Sequence, residues 1–445
     1  MNQIKQTLKA ILRYIDKIFA QIGSTIVGSI VDKTKTSRPD GSKPKLYIDA
    51  TYLYSTHINT GIQRVVRNII SHLKTHTDEK GMDLVTVALV NGALLEIERA
   101  ELETFRSRSK ITTILERVKR KVKLYIASFF QGEILYEGDI LLMLDSSWHL
   151  HVWPSVDYAK QRGAAVIGVT YDLIPVTHPQ FCDDVMEYYF TGWYRQSLHY
   201  FDGYISISQT VMRNLMEYFE RENVAIEHYS FDHFALGADF DTRPSNDEEI
   251  RESLIELYRS EASIYLTVST IEPRKNHRFV YEAMKRVWRN YPDITWVIVG
   301  RSGWKTEALQ QKMREDPAYQ DRLWILSDLS DAELRYCYRH SKALLFPSIV
   351  EGYGLPIIES LKNGLPVLAS DTPIHREVGK EMIDYFDLTD PDSLSSLIGA
   401  IERGSVDLKR VDTEKIAIPT WDQSAGELLE KIIAMSEQKS KESKL

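Results

Sequence analysis

Twice along this chain, short apolar runs alternate with amphipathic segments, and that double alternation restricts the fold more than any other feature. The first series places a strand at Leu46-Tyr47-Ile48-Asp49 and further strands at Leu84 to Val90, Ile140 to Leu144, Ala165 to Thr170 and Gly203 to Ile207. Between or after them lie helical segments. Gly61-Ile62-Gln63-Arg64 leads into a helix with Val65, Val66, Ile69 and Ile70 on one face, and Gln209 to Phe219 reads as another. The acidic, polar stretch Arg243 to Glu252 marks a boundary. The second series begins with strand Ser263 to Ser269, helix Arg278 to Arg289, and strands Thr295 to Gly300 and Arg322 to Leu326. It continues with helix Ser330 to His340, strand Ala343 to Phe346, helix Leu355 to Asn363, strand Pro366 to Ser370 and helix Ser393 to Arg403. A last helix, Trp421 to Glu437, follows Pro419. Such alternation builds α/β layers on mostly parallel sheets. At 445 residues the chain exceeds what one core usually supports. The expectation is two Rossmann-like domains facing a central cleft, where ligands meet the carboxyl ends of the strands.

The chemistry concentrates in the second series. Glu351-Gly352-Tyr353-Gly354-Leu355-Pro356-Ile357-Ile358-Glu359 follows the apolar run at Ala343 to Phe346, with Pro356 placed to begin a helix and Gly364 to end it. A glycine-broken loop at a helix N-terminus offers backbone N–H groups to phosphate. Carboxylates are repelled by phosphate, so Glu351 and Glu359 are expected to face neutral hydroxyls: Glu351 those of a sugar, Glu359 those of a ribose diol. Gly352, Tyr353, Gly354 and Leu355 then lie near the phosphates and sugar. Upstream, Glu272-Pro273-Arg274-Lys275-Asn276 follows a strand, and Arg274 with Lys275 supplies two cations to balance a pyrophosphate. An Arg-Lys pair or two glutamates alone are ordinary surface charge. Their order within one α/β series is what gives them weight.

These motifs resemble those of retaining glycosyltransferases of the GT-B fold, the large family of mannosyl-, rhamnosyl- and glucosyltransferases that build bacterial polysaccharides. The matching segments run through roughly residues 46–435. They include Gly61-Ile62-Gln63-Arg64, Thr170-Tyr171-Asp172-Leu173-Ile174-Pro175, Gly237-Ala238-Asp239, the Glu-Pro-Arg-Lys-Asn segment, Val299-Gly300-Arg301, the glutamate loop, Asn363 through Asp371, and Trp421. The resemblance implies a nucleotide-sugar donor held by Arg274, Lys275, Glu351 and Glu359, with Gly61 and Arg64 approaching the donor phosphates from the first domain. It implies no cofactor, no metal, and retention without an enzymic nucleophile. One departure stands out: many relatives carry His where this chain has Tyr171. A tyrosine donates a hydrogen bond but does not titrate near neutral pH. Asp172 is therefore the candidate for orienting the acceptor or contacting the sugar, and capping the following turn explains it equally well. The implied organisation is a basic extension at 1–43, an acceptor domain at 44–245, a donor domain at 246–415, and at 416–445 a helix returning to the N-terminal domain with a polar tail.

Composition sets the remaining expectations. Cys182 and Cys337 are the only cysteines, which argues against a disulfide framework or a structural zinc site. Asp183-Asp184 reads as helix-start charge rather than a metal site. The uncharged stretch Ile18 to Val31 is too short and polar to span a bilayer, and no convincing signal-peptide cleavage site follows it. A cytoplasmic location is expected. The net charge of −8 hides two basic blocks, +6 over residues 1–45 and +7 over 104–123. Ile111 to Phe130 sets Ile111, Ile114, Leu115, Val118, Val122, Tyr125, Ile126 and Phe129 in one stripe, with Arg117, Lys119, Arg120, Lys121 and Lys123 around it. This reads either as an interfacial helix on an anionic membrane, together with residues 1–31, or as a domain helix with a solvated basic face. Neither block forms a recognisable nucleic-acid module. The activity expected is transfer of a hexose or deoxyhexose to a cell-surface polysaccharide or lipid-linked glycan. The alternatives are a non-catalytic glycan-binding subunit, a nucleotide-sugar epimerase, or a phosphorylase.

Overall fold

A computed structural model describes residues 37–56, 60–103, 110–130, 132–182, 184–238, 250–259, 262–409, 411–413 and 418–442. The expected basic helix at 1–31, Asp183, Asp239 and most of the Arg243 to Glu252 boundary lie outside these residues. The chain divides into two compact units. One comprises Met1–Tyr171, Asp184–Ala235 and Trp421–Leu445; the other comprises Asp172–Asp183 and Leu236–Thr420.

The first unit is built on a seven-stranded sheet. Its strands are β1 (Lys45–Asp49), β2 (Asp83–Val90), β3 (Ala93–Glu96), β4 (Ile140–Met143), β5 (Ala165–Thr170), β6 (Gly203–Ser206) and β7 (Ser230–His233), in the order β3-β2-β1-β4-β5-β6-β7. All pairs are parallel except β2 with β3. That antiparallel edge is a hairpin closed by Asn91 and Gly92, both at positive φ (50° and 82°), the backbone a two-residue turn between twisted strands requires. Helix Gly61–Glu79 buries Val65, Val66, Ile69, Ile70 and Leu73, the stripe its periodicity predicts. The final helix, Trp421–Glu442, returns to this unit and packs along Gly61–Glu79, as expected. It buries Trp421, Leu428, Leu429 and Ile432, and His76 lies 3.1 Å from Asp422 Oδ1 across the contact.

The second unit carries a six-stranded, wholly parallel sheet: β8 (Ile264–Val268), β9 (Thr295–Val299), β10 (Leu323–Leu326), β11 (Ala343–Phe346), β12 (Val367–Ser370) and β13 (Asp384–Phe386). Its order is β10-β9-β8-β11-β12-β13. Both faces are covered, so the strands are apolar at nearly every position. Alternate residues serve opposite cores: Trp296 and Ile298 of β9 join one cluster, Val297 and Val299 the other. The same split puts Leu345 of β11 with the first cluster and Leu344 and Phe346 with the second. Two sheets of this kind bear out the expected α/β architecture.

Candidate functional site

The chain builds the second sheet outward from β8 through β9 to β10, then crosses back and continues from β11. The strand order therefore reverses between β8 and β11, and ligands of open α/β sheets bind outside the carboxyl ends at such a point. Each of these two strands delivers one half of a charged cluster there. After β8 comes a short turn, Pro273–Lys275, preceded by Glu272 in extended conformation. After β11 comes the loop to Glu351. The backbones are joined directly, Ile349 N–H donating to Arg274 O at 2.8 Å.

The side chains meet at the same place. Arg274 Nη1 donates to Glu351 Oε2 at 2.7 Å and to Val350 O at 3.2 Å, and Lys275 Nζ donates to Glu351 Oε1. Arg274 Nη2 lies 2.7 Å from Glu272 Oε1. Phe346 supports the cluster from β11, its ring centroid 5.5 Å from Lys275 Nζ. Burial alone would push the Glu351 carboxyl up. Arg274 and Lys275 outweigh it and hold Glu351 well below the usual carboxylate range. Lys275 is lowered, first by burial and then by its like-charged neighbour Arg274. Burial raises Glu272 and Asp172, against the pull of Arg274 in both cases. His277, opening the next helix, is pushed down to about 3 by burial and by Lys275.

Sequence reasoning placed Arg274, Lys275 and Glu351 near one ligand, and the structure puts them in direct contact. Asp172 belongs to the same unit, and its carboxyl senses Arg274, Glu351 and Lys275. Its Oδ1 also accepts from Ile174 N–H at 3.0 Å, which is the capping role. Glu359 is buried on helix Leu355–Lys362, where Tyr338 donates a hydrogen bond to its Oε2 at 2.8 Å. That helix begins at Gly354, whose φ of 101° an L side chain rarely adopts, and carries Pro356 in its first turn. Gly352 is buried beside Glu351, and Leu355 packs on the second core. Tyr353 points its hydroxyl at the backbone of Leu236, accepting from its N–H at 3.0 Å. Gly61, Arg64 and Tyr171 belong to the first unit. There Gly61 opens its helix without a side-chain cap from Thr60, and Tyr171 is buried with its hydroxyl donating to Leu144 O at 2.6 Å.

One site residue was missed. Glu272 reads in the sequence as a lead-in to Pro273, yet it is buried and ion-paired with Arg274. The available signal was its place one residue before a proline in a loop otherwise meant to be cationic.

Residues 248–410 match the family described as "Glycosyl transferases group 1". The chain is 27% identical over 401 residues to the serotype-specific mannosyltransferase WbdA of Escherichia coli, covering 87% of this chain and 46% of WbdA. It is 32% identical over 146 residues to the O-antigen chain mannosyltransferase RfbU of Salmonella typhimurium, covering 33% of this chain and 40% of that protein. The chain thus spans about half the length of WbdA or less of each relative. The crystal structure of Anabaena Alr3699/HepE in complex with UDP and glucose superposes with a TM-score of 0.53 at 13% identity, over 90% of this chain and 100% of that one. Residues 248–410 thus carry the group 1 glycosyltransferase pattern, the chain has the GT-B fold, and it is related to bacterial O-antigen mannosyltransferases.

Proposed function

We propose that this chain is a nucleotide-sugar-dependent hexosyltransferase, of mannosyltransferase type, that extends an O-antigen-like polysaccharide or lipid-linked glycan. The observation that carries this reading is the Arg274–Lys275–Glu351 cluster at the strand-order reversal, inside the segment that matches the family. Two cations at that position suit a donor pyrophosphate, and a carboxylate kept ionised between them suits sugar hydroxyls. WbdA and RfbU, both mannosyltransferases by name, favour mannose among the hexoses.

In this reading the reaction proceeds with retention, as the family resemblance implies. The bond from the sugar's anomeric carbon to the donor phosphate oxygen breaks, and a bond from that carbon to the acceptor hydroxyl oxygen forms on the same face. The acceptor's proton passes to the departing phosphate oxygen. Charge grows on the leaving nucleotide, so Arg274 and Lys275 stabilise the transition state more than the ground state. Glu351 reads the sugar, Glu359 the ribose, and the backbone of Gly352 to Leu355 lies along the donor. Asp172 orients the acceptor hydroxyl or contacts the sugar. No step requires a metal ion.

Contact with an anionic membrane belongs to the same reading. Helix Lys110–Ala127 exposes Lys119 and Lys123, and Ile126 and Phe130 just beyond them are 55% and 78% exposed. Not all of its basic charge is free, however: Arg120 lies 4.6 Å from the Tyr54 ring centroid, and the exposed Lys123 pairs with Glu101 at 3.0 Å. No helix among the described residues is long and apolar enough to cross a membrane. Sedimentation with anionic vesicles, against neutral ones, tests the contact.

One observation favours a second reading, a non-catalytic glycan-binding subunit: Tyr171 replaces the histidine of many relatives, and its hydroxyl is engaged by Leu144 O. Transfer of labelled sugar to a lipid-linked acceptor by wild type and Glu351→Ala separates the two. Catalysis predicts turnover in the wild type and its loss in the variant; equal rates exclude it.

A further inference from the structure

Glu272 presents a contradiction that the donor-site reading leaves open. A carboxylate beside two phosphate-binding cations opposes the anion those cations would attract, so charge alone argues against its presence. Counting the cluster makes the point: Arg274 and Lys275 are faced by Glu272 and Glu351, and Asp172 adds a third carboxyl that senses them. His277 adds no positive charge at neutral pH, because it is held far below its ordinary value.

The geometry gives Glu272 another use. Its Oε1 forms an ion pair with Nη2 of the Arg274 guanidinium at 2.7 Å, while Glu351 accepts a hydrogen bond from Nη1 at 2.7 Å, so each terminal nitrogen faces one carboxylate. They are not equally committed. In the donor-site reading Glu351 must turn lone pairs toward sugar hydroxyls, whereas Glu272 has no such task. Its backbone is also set in a rigid frame. Ile271 N–H donates to Arg301 O at 2.9 Å, Gly303 N–H donates to Ile271 O at 2.9 Å, and Thr306 Oγ1 donates to the same carbonyl at 3.0 Å. The two loops approach so closely that only glycine fits where they touch. A Cβ on Gly300 would stand 1.8 Å from Ser269 O, and one on Gly303 would stand 2.6 Å from Ile271 O and 3.1 Å from Glu272 Cβ. The Gly300–Gly303 segment is thus the wall against which Glu272 is fixed, and Glu272 is buried, with a side chain 4% exposed.

We propose that Glu272 is the positioning residue of Arg274: it fixes the guanidinium where the donor pyrophosphate is bound, at a cost in local charge. The inference rests on the donor-site reading, and the sign of a binding change tests it. If Glu272 acted through charge alone, neutralising it would tighten binding of an anion. If it orients Arg274, neutralising it loosens binding despite the more favourable charge. Without the Glu272 charge, Arg274 keeps its Nη1 bonds to Glu351 and Val350 O but loses the ion pair at Nη2, so the long side chain is held from one side only.

The experiment titrates UDP, GDP and dTDP calorimetrically into wild type, Glu272→Gln, Arg274→Ala and the double variant. Glu272→Gln keeps the side chain's shape and is expected to weaken the best-bound diphosphate roughly tenfold, the coupling typical of contacting charged groups. On the Arg274→Ala background the same change is expected to leave affinity unchanged or raise it, since only the charge effect remains. Unchanged or tighter binding by Glu272→Gln in the wild-type background overturns the proposal. So does an equal loss in both backgrounds, which marks a general structural effect. Glu272→Asp keeps the charge and shortens the reach, so it is expected to weaken binding too; wild-type affinity there also overturns the proposal, and this variant decides the matter if Glu272→Gln does not fold. Absence of binding by the wild type to all three diphosphates defeats the donor-site reading itself, a distinct result.

Discussion

Replacing Glu351 with alanine separates two effects of one side chain that differ in sign. Glu351 is buried at 9% exposure and holds Lys275 with one oxygen and Arg274 with the other. Arg274 keeps Glu272 after the change, whereas Lys275 loses the one carboxylate its salt bridge records. Breaking a buried ion pair by removing one partner costs about 3–5 kcal/mol, and the retained Arg274–Glu272 pair puts this case near 3. The pH dependence follows from the direction of the Glu351 shift. Its folded value is depressed below the unfolded one, so its contribution is fully present above the ordinary glutamate range and is lost only as pH falls through the folded value. Urea unfolding at neutral pH, compared between wild type and variant, reads the whole cost. Function moves separately. Loss of charged hydrogen bonds to sugar hydroxyls removes about 1.5–3 kcal/mol, a fall in kcat/KM of roughly 10- to 150-fold. Affinity for a free nucleoside diphosphate, which lacks the sugar, is expected to stay level or rise because a negative charge is gone. A variant with wild-type kcat/KM, or one whose stability changes by less than about 1 kcal/mol, refutes the reasoning.

Other consequences are equally direct. Gly300→Ala must part the loops after β8 and β9, since its Cβ would lie 1.8 Å from Ser269 O; a loss of about 3 kcal/mol by chemical unfolding is expected, with weaker diphosphate binding. Tyr338→Phe removes the hydroxyl that donates to Glu359 at 2.8 Å and leaves a buried carboxylate short of a donor, so stability is expected to fall by about 1–3 kcal/mol. Burial and Lys275 hold His277 at about 3 in the folded chain, so it is neutral there but protonates near its ordinary value when unfolded; the unfolded state binds more protons and stability falls as the pH is lowered. From about pH 7.5 to 5.5 the decline from this residue is about 1 kcal/mol, and His277→Gln is expected to flatten that part of the curve.

The parts of the fold legible in the sequence are those set by local pattern. β11 and β5 lie where their uninterrupted apolar runs place them, and helix Gly61–Glu79 buries its periodic stripe. The β2–β3 hairpin was also written locally, in Asn91-Gly92, but Ala93 to Glu96 is too short a run to announce a strand without the turn. Edge strands β7 and β13 carry polar residues and half-buried positions, so nothing in their composition separates them from loop. The last helix runs to Glu442, past the expected end at Glu437, because Lys and Glu are good helix formers even in a polar tail. The candidate site divides the same way. Residue types at Arg274, Lys275 and Glu351 were legible, while their direct pairing was not, since it depends on β8 and β11 becoming neighbours across the sheet. The engagement of two basic side chains of that helix, Arg120 and Lys123, depends on Tyr54 and Glu101 and was equally invisible.

The central claim is that the Arg274–Lys275–Glu351 cluster is the donor site for a nucleotide sugar. Its most direct test is a thermal-unfolding panel of the intact protein with nucleotide sugars of mannose, rhamnose, glucose and N-acetylglucosamine on their several bases. A donor present at about 100 times its Kd stabilises by about 2.7 kcal/mol, a clear rise in Tm, and Arg274→Ala is expected to reduce the rise at the same donor concentration. No shift with any donor, or the same shift in Arg274→Ala as in wild type, contradicts the account.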